Sequence, residues 1–237
     1  MTKKISILST KKLLPNQKQL LLDANFSVTD EDFIEIRYKD FSIPNPLSSG
    51  EGRGETLIFT SQNAVQSILN HPKCEALIPK LREKNVFCVG LKTKALLEEN
   101  GFKVIAHTGY ASDLAEIISL IYPKEKYTFF SGNMRRDVLP NTLKENNIVF
   151  NEIEVYETAL TPQKVNTKPE AILFFSPSAV ESYLKLNVIK DEICFCIGET
   201  TAEALVPKLR DKKIKNIVIA EKPTVENVIA EVIEHYR

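Results

Sequence analysis

The sequence predicts an α/β protein of two doubly wound, parallel-sheet units, and three observations predict it. Short apolar runs of strand length alternate with helix-length amphipathic stretches along almost the whole chain, the pattern of a parallel sheet covered by helices. One strand-turn-helix stretch occurs twice: "LIFTSQNAVQSIL", from Leu57 to Leu69, is echoed by "ILFFSPSAVESYL", from Ile172 to Leu184. The length, 237 residues, suits two domains of about 100–120 residues each.

Taken in order, the first apolar run predicts a strand over 5–9 and the periodicity behind it a helix over 16–25. The segment "SIPNPLSSGEGRGE", from Ser42 to Glu55, is rich in Pro, Gly and Ser and reads as a mobile loop. Its glycines do not bridge a strand and a helix, so they form no phosphate-binding signature. Strands are expected over 57–60, 86–89, 103–106, 127–131 and 148–155, with helices over 64–70, 93–100, 113–121 and 139–146 between them. A last set has strands over 171–175, 193–197 and 216–220 and helices over 179–186, 201–209 and 225–236. The echo continues beyond the first pair. "CVGLKTKALLEENGFKVI" from Cys88 parallels "CIGETTAEALVPKLRDKKIKNIVI" from Cys196, and the order and spacing of the pieces match a duplicated α/β unit.

Two extended alternating stretches, Glu35-Ile36-Arg37-Tyr38 and Glu154-Val155-Tyr156-Glu157, stand at opposite ends of the central block. A chain that leaves one domain and later returns to it needs two crossings, and paired strands make both. The expected organisation is therefore a discontinuous first domain, 1–34 plus 159–237, and a second domain, 39–153. A two-stranded β-ladder over 35–38 and 154–158 links them. Both domains are expected to be Rossmann-like or flavodoxin-like.

Composition narrows the function. Lys plus Arg and Asp plus Glu are both 31, so neither a nucleic-acid stripe nor a polybasic membrane patch is indicated. No apolar run approaches the ~18 residues of a membrane span, and the N-terminus lacks a signal-peptide core, so a cytoplasmic location is expected. Cys74, Cys88, Cys194 and Cys196 then read as buried, reduced thiols. Cys194 and Cys196 alternate along a strand and so face the same side. No histidine spacing suggests a metal, and no cofactor is expected.

In open parallel sheets, ligands bind beyond the carboxyl ends of the strands. Helix N-termini there offer unpaired N–H groups to anions. The repeated turns form such a set: Thr60-Ser61-Gln62-Asn63 running into Ala64, Gly90 to Thr93, Ser131-Gly132-Asn133, Ser176-Pro177-Ser178 running into Ala179, and Gly198 through Thr200 and Thr201. Asn63, Thr93, Ser178 and Thr201 can be plain N-caps worth ~1 kcal/mol each, or can reach a carboxylate or phosphate. Arg135 and Arg136 precede a helix; one guanidinium can fork onto a ligand carboxylate, or the pair can be a surface pair involving Asp137. Tyr156, in a crossing strand, carries a phenol able to donate a proton. No Ser-His-Asp set, P-loop or dinucleotide fingerprint is present. The residues alone point to a two-domain, cofactor-free binder of an anionic molecule.

The ordered segments "FTSQNAV", "VGLKT", "SGNMRRDVLPNTL", "VYET", "FFSPSAV", "IGETTAEAL" and "AEKPTVENVI" make the chain similar to the uroporphyrinogen-III synthase family. The resemblance spans nearly the whole chain. Two positions depart from it: Lys11 and Lys12 follow Thr10 where the family often has Arg-Pro, and Lys94 stands where an Ala is usual. The resemblance implies two α/β domains joined by a two-stranded ladder, an active cleft between them, and no cofactor. It implies a cyclising hydro-lyase of porphyrin and heme biosynthesis that converts hydroxymethylbilane, a linear tetrapyrrole with eight carboxylates, to uroporphyrinogen III with inversion of ring D and loss of water. It places the catalytic tyrosine at Tyr156 and the substrate-binding turns at Thr60, Ser61, Asn63, Ala64, Gly90, Thr93, Ser131, Gly132, Asn133, Arg135, Ser176, Ser178, Ala179, Gly198, Thr200 and Thr201. A monomer that receives substrate from hydroxymethylbilane synthase is expected, with no nucleic-acid or membrane partner. The alternative is a non-catalytic homologue that binds a tetrapyrrole or another polyanion.

Overall fold

The structure, a computed structural model, describes residues 4–42, 55–206 and 216–237. The expected loop between Ser42 and Glu55 and the expected end of the helix over 201–209 lie largely or partly outside these residues. In chain order the strands are β1 (Ser6–Ser9), β2 (Ser27–Asp30), β3 (Ile34–Tyr38), β4 (Thr56–Phe59), β5 (Asn85–Val89), β6 (Lys103–Thr108), β7 (Tyr127–Gly132), β8 (Phe150–Leu160), β9 (Ala171–Phe174), β10 (Ile193–Cys196) and β11 (Ile217–Ile219). The helices are α1 (Pro15–Asp23), α2 (Gln62–Asn70), α3 (Ile78–Arg82), α4 (Leu91–Glu99), α5 (Ala111–Ile121), α6 (Val138–Glu145), α7 (Pro177–Leu186), α8 (Glu199–Leu205) and α9 (Val225–His235).

The chain divides into two compact units: Met1–Glu35 with Ala159–Arg237, and Ile36–Thr158. Unit 1 contains a sheet of order β11-β10-β9-β1-β2, and every pairing in it is parallel. The second sheet runs β3-β8-β7-β4-β5-β6, parallel from β8 to β6. Its edge strand β3 is hydrogen-bonded to β8, and both strands cross the boundary between the units. Apart from β3 the two sheets have one spatial plan. The outer strands β11-β10-β9 correspond to β6-β5-β4, and β1-β2 correspond to β7-β8. The plan is permuted in sequence, because unit 1 draws β1 and β2 from the start of the chain.

Alternate residues of each strand enter opposite cores, as a sheet with helices on both faces requires. In unit 1, Leu8, Ile172, Phe174, Cys194 and Cys196 pack with α7 and α8, while Ile7, Ala171, Leu173 and Phe195 pack with the face of α1 and α9. In unit 2, Leu57, Phe59, Cys88 and Phe130 share a core with Ala64, Val65 and Ile68 of α2, and Ile58, Phe87 and Phe129 share another with Leu114 and Ile118 of α5. All four cysteines are buried free thiols; burial alone pushes Cys74 up and is the main cause that lifts Cys88 to about 11 and Cys196 to about 12.

The expected elements recur with shifted ends, and three were not anticipated. Strand β2 has the sequence SVTD, half exposed, and pairs only with β1, so it carries no apolar run. The 3-10 turn Pro72–Cys74 and helix α3 are too short to show a periodicity. Helices α2, α4, α7 and α8 begin two residues before the expected starts. This corrects the N-caps: Ser61, Gly90, Ser176 and Gly198 occupy them, and Asn63, Thr93, Ser178 and Thr201 lie inside the first turns.

Candidate active site

Each sheet reverses its strand order once, between β1 and β9 in unit 1 and between β4 and β7 in unit 2. Beyond the carboxyl ends of such strand pairs lies the crevice where open α/β sheets take ligands. The repeated turns identified in the sequence follow β4, β7 and β9 at these strand ends, and β5 and β10 on the neighbouring strands.

In unit 2, β4 leads through half-buried Thr60 to Ser61, whose extended backbone and side chain cap α2. The Ser61 hydroxyl accepts the Asn63 N–H at 3.1 Å. Ala64 is fully buried in the core, so only its backbone faces the turn. On the neighbouring strand, β7 ends at buried Ser131 and Gly132. A side chain at 132 has no room: a Cβ there would fall on Cζ of Tyr156 and lie 2.7 Å from its phenol oxygen. The Tyr156 ring therefore rests directly on the Gly132 backbone, a close approach that only glycine allows. The Ser61 side chain stands beside the phenol. Burial pushes the phenol above its ordinary range, and the Ser61 side chain acts against that rise. One titratable hydroxyl on β8 thus sits where β4 and β7 end, beside a helix N-terminus.

The remaining unit 2 residues frame this group. Asn133 donates its N–H to the Tyr156 carbonyl at 3.3 Å and accepts the Thr158 N–H on Oδ1 at 2.8 Å, so it clamps the strand just after the tyrosine. Arg135 forks onto Glu152 and also binds Asp137, so its guanidinium is already occupied by two carboxylates. The interaction with Asp137 that the sequence allowed is present, together with a stronger partner it did not suggest. Glu152 is raised by burial, but hydrogen bonds from Arg135 and Ser131 outweigh this and leave it below 4.5. Gly90, at φ +89°, caps α4 with its N–H on the Thr108 carbonyl at 2.8 Å. Thr93 lies buried one turn later. Lys94 pairs with Glu98 along the same helix at 3.8 Å.

Unit 1 repeats the turns without the phenol. Ser176 caps α7 by accepting the Ala179 N–H at 3.1 Å, and its hydroxyl lies 3.0 Å from that of Ser178. Pro177 takes the first helical position, where its missing N–H costs nothing. Ala179 is buried, Gly198 caps α8, Thr200 is half-buried, and Thr201 is 1% exposed with its N–H on the Gly198 carbonyl. At the end of β1, Thr10 is buried and donates both its N–H and its hydroxyl to the Leu173 carbonyl.

Sequence reasoning missed Ser67. It is 1% exposed on the apolar face of α2 and donates to the Val155 carbonyl, next to Tyr156. A serine among Ala64, Val65 and Ile68 was the available signal. Among the described residues, no group of three or more His, Cys, Asp or Glu could hold a metal ion, and no helix is long and apolar enough to cross a membrane.

Comparison with known proteins supplies the family. The crystal structure of uroporphyrinogen-III synthetase from Helicobacter pylori matches with a TM-score of 0.67 at 21% identity, covering 99% of this chain and 100% of that one. A mutant uroporphyrinogen III synthase from the extremely thermophilic bacterium Thermus thermophilus matches with a TM-score of 0.67 at 14% identity, over 98% of this chain and 100% of that one. At these identities both likenesses speak to the fold. A porphyrin biosynthesis protein HemD from Ruminiclostridium josui is 25% identical over 196 residues, which are 75% of this chain and 37% of that protein. The chain thus spans little more than a third of this curated relative. The family described as uroporphyrinogen-III synthase HemD matches residues 18–230, and to that family the chain belongs.

Proposed function

We propose that the chain is a uroporphyrinogen-III synthase, closing hydroxymethylbilane to uroporphyrinogen III. The observation that carries this reading is the Tyr156 phenol, held between Gly132 and Ser61 at the end of the unit 2 sheet. Burial keeps this phenol protonated through neutral and mildly alkaline pH, as an acid requires. In the proposed step Tyr156 gives its proton to the departing hydroxyl of the substrate. The C–O bond breaks, water leaves, and the pyrrole nitrogen lone pair completes an electrophilic azafulvene. The already substituted carbon of ring D attacks this carbon to give a spiro intermediate. Fragmentation and re-closure invert ring D, and loss of a proton, which the Tyr156 phenolate takes back, restores the aromatic pyrrole.

Water loss alone does not choose the isomer. Hydroxymethylbilane also closes without an enzyme, to the unrearranged type I product, so the protein must favour attack at the substituted carbon by positioning. The eight substrate carboxylates call for donors rather than a dense basic patch. First-turn N–H groups and hydroxyls at Thr60 to Ala64, Gly90 to Thr93, Ser176 to Ala179 and Gly198 to Thr201, with the strand-end groups at Ser131 to Asn133, are the proposed contacts in the two units. Arg135 holds the start of β8 through Glu152, and its contact with substrate requires exchange of one of its present partners.

The test is to supply hydroxymethylbilane, oxidise the product, and measure the ratio of type III to type I uroporphyrin. Type III in excess supports the synthase. Only type I at the spontaneous rate overturns it, and saturable binding of the tetrapyrrole with that outcome would support a non-catalytic binding homologue.

A further inference from the structure

Tyr156 is aimed by a break in its own strand. Along β7 and β8, Ser131 lies opposite Glu154, but Gly132 lies opposite Tyr156, so Val155 is an extra residue in the ladder. In a regular strand Val155 and Tyr156 would point to opposite faces. Here both pack against the same core, Val155 fully buried and Tyr156 partly so, together with Ile153. The extra residue has turned the tyrosine, as bulges beside functional sites do. Two contacts hold the bulge. The Val155 carbonyl accepts the Lys39 N–H at 3.0 Å and the buried Ser67 hydroxyl at 2.5 Å. The bare backbone of Gly132 provides the space into which the turned ring fits.

We propose that Gly132 and Ser67 are positioning residues for the reaction: Ser67 pins the Val155 bulge and Gly132 admits the ring, and together they fix where the Tyr156 phenol points. This rests on the reading of Tyr156 as the acid. Neither residue touches the reacting atoms; each aims the tyrosine, and Gly132 does so through the space its missing side chain leaves, apart from the proposed contact of its backbone with substrate. An added methyl at 132 lies against the ring, so the phenol must swing away, and misplacement of about 1 Å costs roughly 10²-fold in rate.

The experiment is a pair of double-mutant cycles on the full chain with hydroxymethylbilane, reading kcat and KM for type III formation. Gly132→Ala is expected to lower kcat by roughly 10²-fold with KM within about twofold, and Ser67→Ala to lower kcat by a smaller factor in the same way. In a Tyr156→Phe background both substitutions should change kcat by less than about twofold, because the group they aim is gone. Ser67→Ala leaves the Val155 carbonyl bonded to Lys39, and it carries the test if Gly132→Ala fails to fold. Equal losses in the two backgrounds, or unchanged kcat in both single variants, would overturn the positioning role while leaving the acid in place. Wild-type turnover in Tyr156→Phe removes the acid itself, and the inference with it.

Discussion

The two units share one sheet plan and one turn chemistry, yet the Ser61 turn of unit 2 has a phenol beside it where the Ser176 turn of unit 1 has a second serine. Ser61 and Ser176 occupy the same place, each capping the helix after a buried strand. Ser61 has a phenol for its partner; Ser176 has another small hydroxyl, Ser178. The strand corresponding to β8 is β2, which is short, regular in its pairing and without an aromatic. Its end is tied down by Asp30, which accepts the Leu13 N–H and the Lys18 ammonium. A duplicated strand-turn-helix thus supplies serine-capped helix starts twice. In the proposed function, the bulge and the glycine make one copy a site for proton transfer.

Similar cores should respond alike, and this gives the largest expected effects. Phe59 in unit 2 and Phe174 in unit 1 are fully buried on corresponding strands. Truncation of either to Ala should cost about 3–5 kcal/mol in urea denaturation. A cost below about 1 kcal/mol for one of them would break the equivalence of the two sheets.

The caps sharpen the comparison. Ser61→Ala and Ser176→Ala should each cost about 1 kcal/mol of stability, since each removes one N-cap hydrogen bond. Only Ser61→Ala should also lower kcat for type III formation, through its phenol partner. Equal kcat losses in the two variants would erase the functional distinction between the turns.

The smallest effect concerns acid stability and is expected in both units. Glu152 in β8 is raised by burial and brought below 4.5 by Arg135 and Ser131; Asp30 in β2 is raised by burial and brought below 3.8 by Lys18 and the Leu13 N–H. A carboxylate whose folded pKa lies below its unfolded one stabilises fully above the unfolded value, and that contribution is lost as pH falls through the folded value. Arg135→Gln and Lys18→Gln should therefore each cost about 1 kcal/mol or less at pH 7 and make the loss of stability below pH ~4.5 shallower. An unaltered acid limb in a series of urea titrations would show that neither pair contributes to it.

The alternation of apolar strands and helices was legible because TLIF in β4 and AILF in β9 are buried on both faces. An edge strand such as β2 shows no such run, since half of it meets water. The repeated turns were legible as a set, but their caps were misplaced by two or three residues. Gln62, Leu91, Pro177 and Glu199 are polar, exposed or ring-constrained first-turn residues that give no apolar period. Tyr156 is legible through the VYET resemblance and not through its pattern, in which a strand tyrosine is ordinary. Its packing against Gly132 depends on a register shift between β7 and β8. That shift is a property of two strands together, and neither local sequence contains it. For the same reason Ser67 looks like a plain helix residue until the Val155 carbonyl is placed beside it.

The central claim, that unit 2 supplies the acid through Tyr156, is tested most directly by the rate of type III formation in Tyr156→Phe. Loss of a single general acid predicts a fall of about 10²-fold or more, with residual type III above the spontaneous background and KM little changed. Type III formation at the wild-type rate would contradict the claim and return Tyr156 to the core that it partly fills.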